Sequence, residues 1–320
     1  MQTSPKPLPS HIPDFLDWLD VEKGLSTKTQ ENYSRFIKRF IRWLEFQKLA
    51  SLKPHELTSD HVWKYRIFLA RQTRSERSAA APLKKSTQNY YLIALRSLLG
   101  YFTERDITSL PADKIKLARN KEDKEVRFLN LVELERLFSM PDVSSPAGLR
   151  DRTILETFFS TGMRISELVA LNRIQVEPSL GADELELGII GKGGRARTVY
   201  FSKRVLSWLK KYLETRGDFD DPLFVNYQSR KGSSRRLTPR SIERVIKDYA
   251  LRAGLPKNTT PHVLRHSFAT DLLSQGVDIR LLQEFLGHKD ISATQIYTHV
   301  TKKQLRDIHK KYHSGERMKK

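Results

Sequence analysis

Four short stretches of the chain hold residues whose types and spacing could act on a phosphate. Thr260-Pro261-His262-Val263-Leu264-Arg265-His266 reads as a helix start, with Thr260 at the N-cap and Pro261 in the first turn. His262 and Arg265 are three apart, so they would share a face where backbone N–H groups and the helix dipole favour an anion. Alone, the pair is equally an ordinary surface His and Arg near a cap. His262 and His266 are four apart, but a zincin needs Glu directly after the first His and Val263 stands there, so no metal site is expected. In Leu286-Gly287-His288-Lys289 the glycine reads as a helix stop that leaves His288 opening a loop, and Tyr297 follows nine residues later on a short amphipathic segment. Core packing is the other use for such a tyrosine. In Ser160 to Leu168, a buried stripe of Ile165, Leu168 and Val169 leaves Arg164 and Glu167 on another face. There Glu167 could orient Arg164 toward a phosphate, or the two could form a plain helix ion pair. Lys192 sits among Gly191, Gly193 and Gly194, either close to a nucleic-acid backbone or as a solvated turn lysine.

The charge of the chain says what kind of partner these groups face. Its 320 residues carry 57 Lys and Arg against 37 Asp and Glu, a net of +20. Residues 1–120 hold 21 against 12 and the remainder 36 against 25, so both halves share the excess. Such a field attracts polyanions through phosphate neutralisation and counterion release. With no cysteine, disulfides, thiolate zinc sites, iron–sulfur clusters and cysteine nucleophiles are excluded. No apolar run approaches the ~18 residues of a membrane helix, and the Pro-rich Met1–Ser10 has no signal core. The expectation is a soluble cytoplasmic protein with a polyanionic partner, no membrane partner and no cofactor.

The elements that must position these residues follow from apolar spacing. Tyr33, Phe36, Ile37, Phe40, Ile41 and Leu44 form one helical stripe between Thr27 and Gln47, with Ser26 as cap. Further helices run through Val62, Tyr65 and Leu69 and through Leu92, Leu95, Leu98, Leu99 and Phe102, separated by an exposed basic loop from Arg71 to Lys85. A charged, apolar-poor stretch then reads as a linker. Helical periodicity resumes over Phe128–Phe138 and continues through Ile154–Leu171. Alternation at Leu185, Leu187 and Ile189, the glycine-rich turn and Arg197 to Phe201 predict a hairpin, with helices again beyond Val205. The fold class is mainly α with a small antiparallel β-sheet (α+β). The expected division is a helical N-terminal domain over 1–118, a linker at 119–127, a second domain over 128–313 and a basic tail at 314–320.

Taken in order, Arg164, Lys192, His262, Arg265, His288 and Tyr297 resemble the six-residue active site of the tyrosine recombinase (phage integrase) family, Xer-like members in particular. The motifs are Thr-Gly-Met-Arg-Ile-Ser-Glu-Leu, Gly-Lys-Gly-Gly-Arg, His-Val-Leu-Arg-His-Ser-Phe-Ala-Thr, Leu-Gly-His and Ile-Tyr-Thr-His. The resemblance covers about Leu129 to Val300 strongly, and the first domain, as a core DNA-binding domain, more weakly. It implies a site-specific recombinase that cleaves through a 3′-phosphotyrosyl intermediate and exchanges strands via a Holliday junction, for dimer resolution or element integration and excision. Tyr297 would be the nucleophile, Arg164 and Arg265 the clamps on the non-bridging oxygens, His262 the proton acceptor, His288 a hydrogen-bond donor and Lys192 the acid, with Glu167 in support. The implied partners are double-stranded DNA with an inverted-repeat core site and, on it, a homotetramer or a heterotetramer with a related recombinase. The segment Thr301–His313 would be a helix for docking onto a neighbouring protomer, or a frayed end. Lys84, Lys85, Arg235 and Arg236 are candidate phosphate contacts. A type IB-like topoisomerase and a non-catalytic DNA-binding protein are the alternative readings.

Overall fold

The computed structural model describes residues 1–71, 82–118, 127–191, 194, 196–230 and 232–287. The chain divides into two compact units, Met1–Asp123 and Lys124–Lys320, each with its own apolar core. The architecture is mainly helical with one two-stranded antiparallel sheet. No helix among the described residues is long and apolar enough to cross a membrane.

In the first unit, four helices surround an aromatic core: α1 (Ile12–Val21), α2 (Thr27–Phe46), α3 (Ser59–Arg71) and α4 (Lys85–Glu104). The face of α2 that is fully inside is Ile37, Phe40, Trp43 and Leu44, while Tyr33, Phe36 and Ile41 are only partly covered. Phe40 and Tyr65 meet edge to face with centroids 5.0 Å apart, an arrangement the ring quadrupoles favour. Ser26 does occupy the N-cap of α2, but its hydroxyl meets the Thr29 hydroxyl at 3.0 Å instead of a backbone N–H. The Pro-rich start, for which no element was expected, is pinned. Gln2 donates its N–H to Asp106 at 2.6 Å and accepts from Thr108 at 2.9 Å, and Leu8 is buried.

The second unit is built around α6 (Pro146–Thr161), flanked by α5 (Leu131–Phe138) and α7 (Ile165–Ala170). Helix α6 is covered on several faces, so its polar residues find partners inside. Arg150 pairs with Asp151, Glu156 accepts from Arg152 and Arg204, and Thr153, Thr157 and Thr161 each donate a hydroxyl to the carbonyl four residues back. Strands β1 (Glu184–Ile190) and β2 (Ala196–Ser202) pair from Glu184↔Ser202 to Ile190↔Ala196. Helices α8 (Lys203–Glu214), α9 (Pro239–Arg252), α10 (Pro261–Ser274) and α11 (Ile279–Leu286) complete the described part.

The expected continuous helix over Ile154–Leu171 is broken. Gly162 ends α6 in the left-handed region (φ +56°), and a Cβ there would stand 2.3 Å from the Phe268 ring of α10. Arg164 therefore does not lie within a helix. It is the N-cap residue of α7.

Phe40→Ala should cost about 3–5 kcal/mol by opening a cavity among Trp43 and Tyr65. Denaturant unfolding followed by tryptophan fluorescence measures it, since Trp18, Trp43 and Trp63 all lie in the first unit. An unchanged midpoint would contradict the core described here.

Candidate active site

Arg164 and Glu167 are joined by the start of α7. The Glu167 carboxylate accepts from the Arg164 backbone N–H at 2.7 Å and from Arg164 Nη1 at 2.9 Å, the geometry of a capping box. The three-residue spacing noted in the sequence is thus a helix cap, with Glu167 buried and Arg164 about one-fifth exposed. Burial alone would push the Glu167 carboxyl up, but the Arg164 N–H and the Arg197 charge outweigh it and hold it below the usual glutamate range. Glu167 is an anion in the fold, fixed between two arginines.

Arg265 sits in the first turns of α10, after Thr260 and Pro261. The Thr260 side chain makes no cap bond. His262 and Arg265 part company: His262 is exposed at the start of the helix, while Arg265 is buried. Arg265 Nη1 donates to the Gly162 carbonyl at 2.7 Å and Nη2 to the Leu286 carbonyl. From the other side, Arg164 Nη2 donates to the Gly287 carbonyl at 3.1 Å. The two arginines, 101 positions apart in the sequence numbering, therefore meet at the end of α11. Gly287 closes that helix in the left-handed region (φ +59°), as its place in Leu-Gly-His predicted. His288, Lys192 and Tyr297 lie outside the described residues.

A third arginine belongs to the cluster and was not among the predicted site residues. Arg197, on β2, donates Nη2 to Glu167 Oε2 at 2.6 Å and Nη1 to the Phe285 carbonyl at 2.5 Å. Its signal was available: Arg197, Val199 and Phe201 alternate onto the covered face of β2, so a charge stands in an apolar register. Of the candidate DNA contacts, Lys84 and Lys85 are exposed at the start of α4. Arg235 pairs with Asp220 at 2.9 Å, and Arg236 donates to the Val169 carbonyl at 2.6 Å and to Asn172.

Among the described residues, three guanidiniums and one carboxylate gather at this point, and His262 is exposed at the start of α10. Comparison with known proteins identifies the family. The phage integrase family model matches residues 127–304, and the model of the phage integrase N-terminal SAM-like domain matches 12–109. The chain belongs to the phage integrase family. The tyrosine recombinase XerD of Listeria monocytogenes serotype 4b is 35% identical, over 94% of this chain and 98% of its own. XerD of Pseudomonas aeruginosa is 34% identical over 98% and 99%. Among solved structures, XerH bound to a palindromic difH substrate has TM-score 0.67 at 24% identity, covering 96% of this chain and 97% of that one. A lambda integrase dimer bound to a core site also gives 0.67, at 18% identity, covering 91% and 76%. These two likenesses speak to the fold.

His266, beside this cluster, is a neutral imidazole. Burial, then the charges of His262 and Arg265, hold it down at about 4 against an ordinary 6.5. The unfolded chain takes up a proton near 6.5 that the folded chain refuses until about 4, so stability falls as pH drops through that window. His266→Gln should flatten this loss, read as denaturation midpoints at pH 7 and pH 5. An acid loss equal to that of the unmodified protein would overturn the assignment.

Proposed function

We propose that this tyrosine recombinase cuts and rejoins DNA at a specific site through a covalent bond to Tyr297. The observation that carries the reading is the meeting of Arg164 and Arg265 at the Leu286–Gly287 turn, in a chain of this family. A phosphodiester gains negative charge on its non-bridging oxygens as the nucleophile arrives, and two preorganised guanidiniums neutralise it without a metal-binding cluster.

The step balances as a transesterification. The Tyr297 phenol oxygen bonds to phosphorus, its proton passes to His262, and the bond from phosphorus to the 5′ oxygen breaks. Lys192 protonates the departing 5′ oxygen, and His288 donates a hydrogen bond to the phosphate. An ordinary phenol titrates near 10, so it needs such an acceptor at neutral pH, and imidazole is the side chain whose ordinary range lies there. One ester replaces another, so rejoining needs no ATP.

The DNA partner follows from the family and from the charge of both halves. The proposed assembly is four protomers on two duplexes, each with an inverted-repeat core, passing through a Holliday junction in the cytoplasm at the nucleoid. The proposed domains remain 1–118 for core binding and 128–313 for catalysis. Lys84 and Lys85 are the better placed phosphate contacts, because Arg235 and Arg236 already serve internal acceptors.

Tyr297→Phe should still bind DNA yet form no covalent adduct on a nicked suicide duplex carrying the site this protein selects from a random-sequence library. An adduct surviving the change removes Tyr297 as nucleophile. Footprints without any adduct from the unmodified protein favour a non-catalytic binder, and relaxation of supercoils lacking the site favours a topoisomerase. Lys192→Ala should lose cleavage and regain it when sulfur, a better leaving group, replaces the 5′-bridging oxygen; failure of that rescue rejects Lys192 as the acid.

A further inference from the structure

We propose that Arg197 is a positioning residue for strand cleavage: one guanidinium, reaching from strand β2 to the Glu167 carboxylate and the Phe285 carbonyl, sets the placement of Arg164 and of the last turn of α11. The inference rests on the recombinase reading above and adds to it a group outside the six-residue set.

The geometry ties three elements to one side chain. Glu167 Oε2 receives both the Arg164 backbone N–H and Arg197 Nη2, while Oε1 receives Arg164 Nη1. Without Arg197, a buried carboxylate would keep Arg164 as its one cation, and Arg164 would be drawn toward Glu167 and away from a phosphate. With Arg197 present, Glu167 has a second cation at Oε2 and Arg164 is freer to face an incoming anion.

The second tie is to the helix end. Arg197 Nη1 holds the Phe285 carbonyl, and the arginine stem lies across Gly287, where a Cβ would stand 2.5 Å from Arg197 Cδ. Gly287 directly precedes His288. The last turn of α11 is thus packed against the Arg197 stem.

The third tie is to the hairpin. Arg197 pairs with Ile189, next to the closing pair Ile190↔Ala196, and Lys192 lies in the sequence between those two strands. Arg197 Nε is buried without a hydrogen-bond partner. An apolar side chain at this inward register would bring no unpaired donor, but it would leave the buried Glu167 carboxylate and the Phe285 carbonyl without this partner. The fork of an arginine, by contrast, is what spans two acceptors on different elements, and an ammonium cannot.

The test uses the full chain and a nicked suicide duplex carrying the library-selected site. Arg197→Met should bind this duplex within about threefold of the unmodified protein and cleave it about 100-fold more slowly in single turnover, the scale of a misplaced reacting group. Arg197→Lys keeps the charge and guards against a folding defect; it should melt like the unmodified protein and still cleave slowly. Combining Arg197→Met with Glu167→Gln should cost little more than the worse single change, because the two act as one unit. Cleavage by Arg197→Lys at the unmodified rate, losses that follow only the fraction of folded protein, or losses that multiply in the double variant would each overturn the proposal. If the unmodified protein itself forms no adduct, the recombinase reading fails and this falls with it. An adduct from the unmodified protein with unimpaired Arg197 variants overturns the positioning role alone.

Discussion

The site depends on the last turn of α11 and the cations gathered on it. Helix ends leave carbonyls without intrahelical partners and carry partial negative charge, so cations there are favoured. Here the carbonyls of Phe285, Leu286 and Gly287 each receive an arginine, from β2, α10 and the cap of α7 respectively. Three parts of the sequence that share no local interaction are thereby held to one point. With Glu167 the one carboxylate among these contacts, positive charge is left over, stabilised by dipoles that a phosphate need not displace.

Two glycines make this convergence possible by lacking a side chain. Gly162 turns the chain between α6 and α7 against the Phe268 ring, and its carbonyl is an acceptor for Arg265. Gly287 ends α11 under the stem of Arg197 and offers its carbonyl to Arg164. Each combines a positive φ with a close approach that a Cβ would prevent, so each serves both the backbone and the contact surface. The break at Gly162 also moves Arg164 from a helix interior to an N-cap. The capping box then fixes its backbone through the same carboxylate that holds its guanidinium.

Much of this was legible in the sequence, and the misses have physical causes. Helices α2, α3 and α4 of the first unit and the β1–β2 hairpin announce themselves by periodicity, because their cores are formed by residues at regular spacing. Arg164, Glu167 and Arg265 could be selected by type and motif. Their arrangement could not, since a spacing of three is compatible with a mid-helix ion pair and with a cap, and the left-handed turn at Gly162 decides between them. His262 and Arg265 share a spacing but not an environment, because α10 packs its Arg265 side toward Gly162 and Leu286. Arg197 was passed over because it stood in a strand read for its apolar alternation. The Pro-rich start gave no sign of pairing with Asp106 and Thr108, which depends on contacts distant in the chain.

In the proposed reaction, how firmly α11 is seated bears directly on catalysis. Among the described residues, its buried leucines Leu282 and Leu286 pack with Ala269 and Leu273 of α10, in a cluster separate from the main core of the unit, and Phe285 meets Tyr200 edge to face. The arginine bonds to its last turn add to this anchor. A perturbation there would reach the reacting groups before it reached the main core around α6 and α8, since elements with few buried apolar contacts open at lower free energy than the rest of a domain. In the proposed reaction, the arginines that would serve the phosphate also hold the last turn of α11, so the geometry of the site is coupled to its electrostatics through this one helix end.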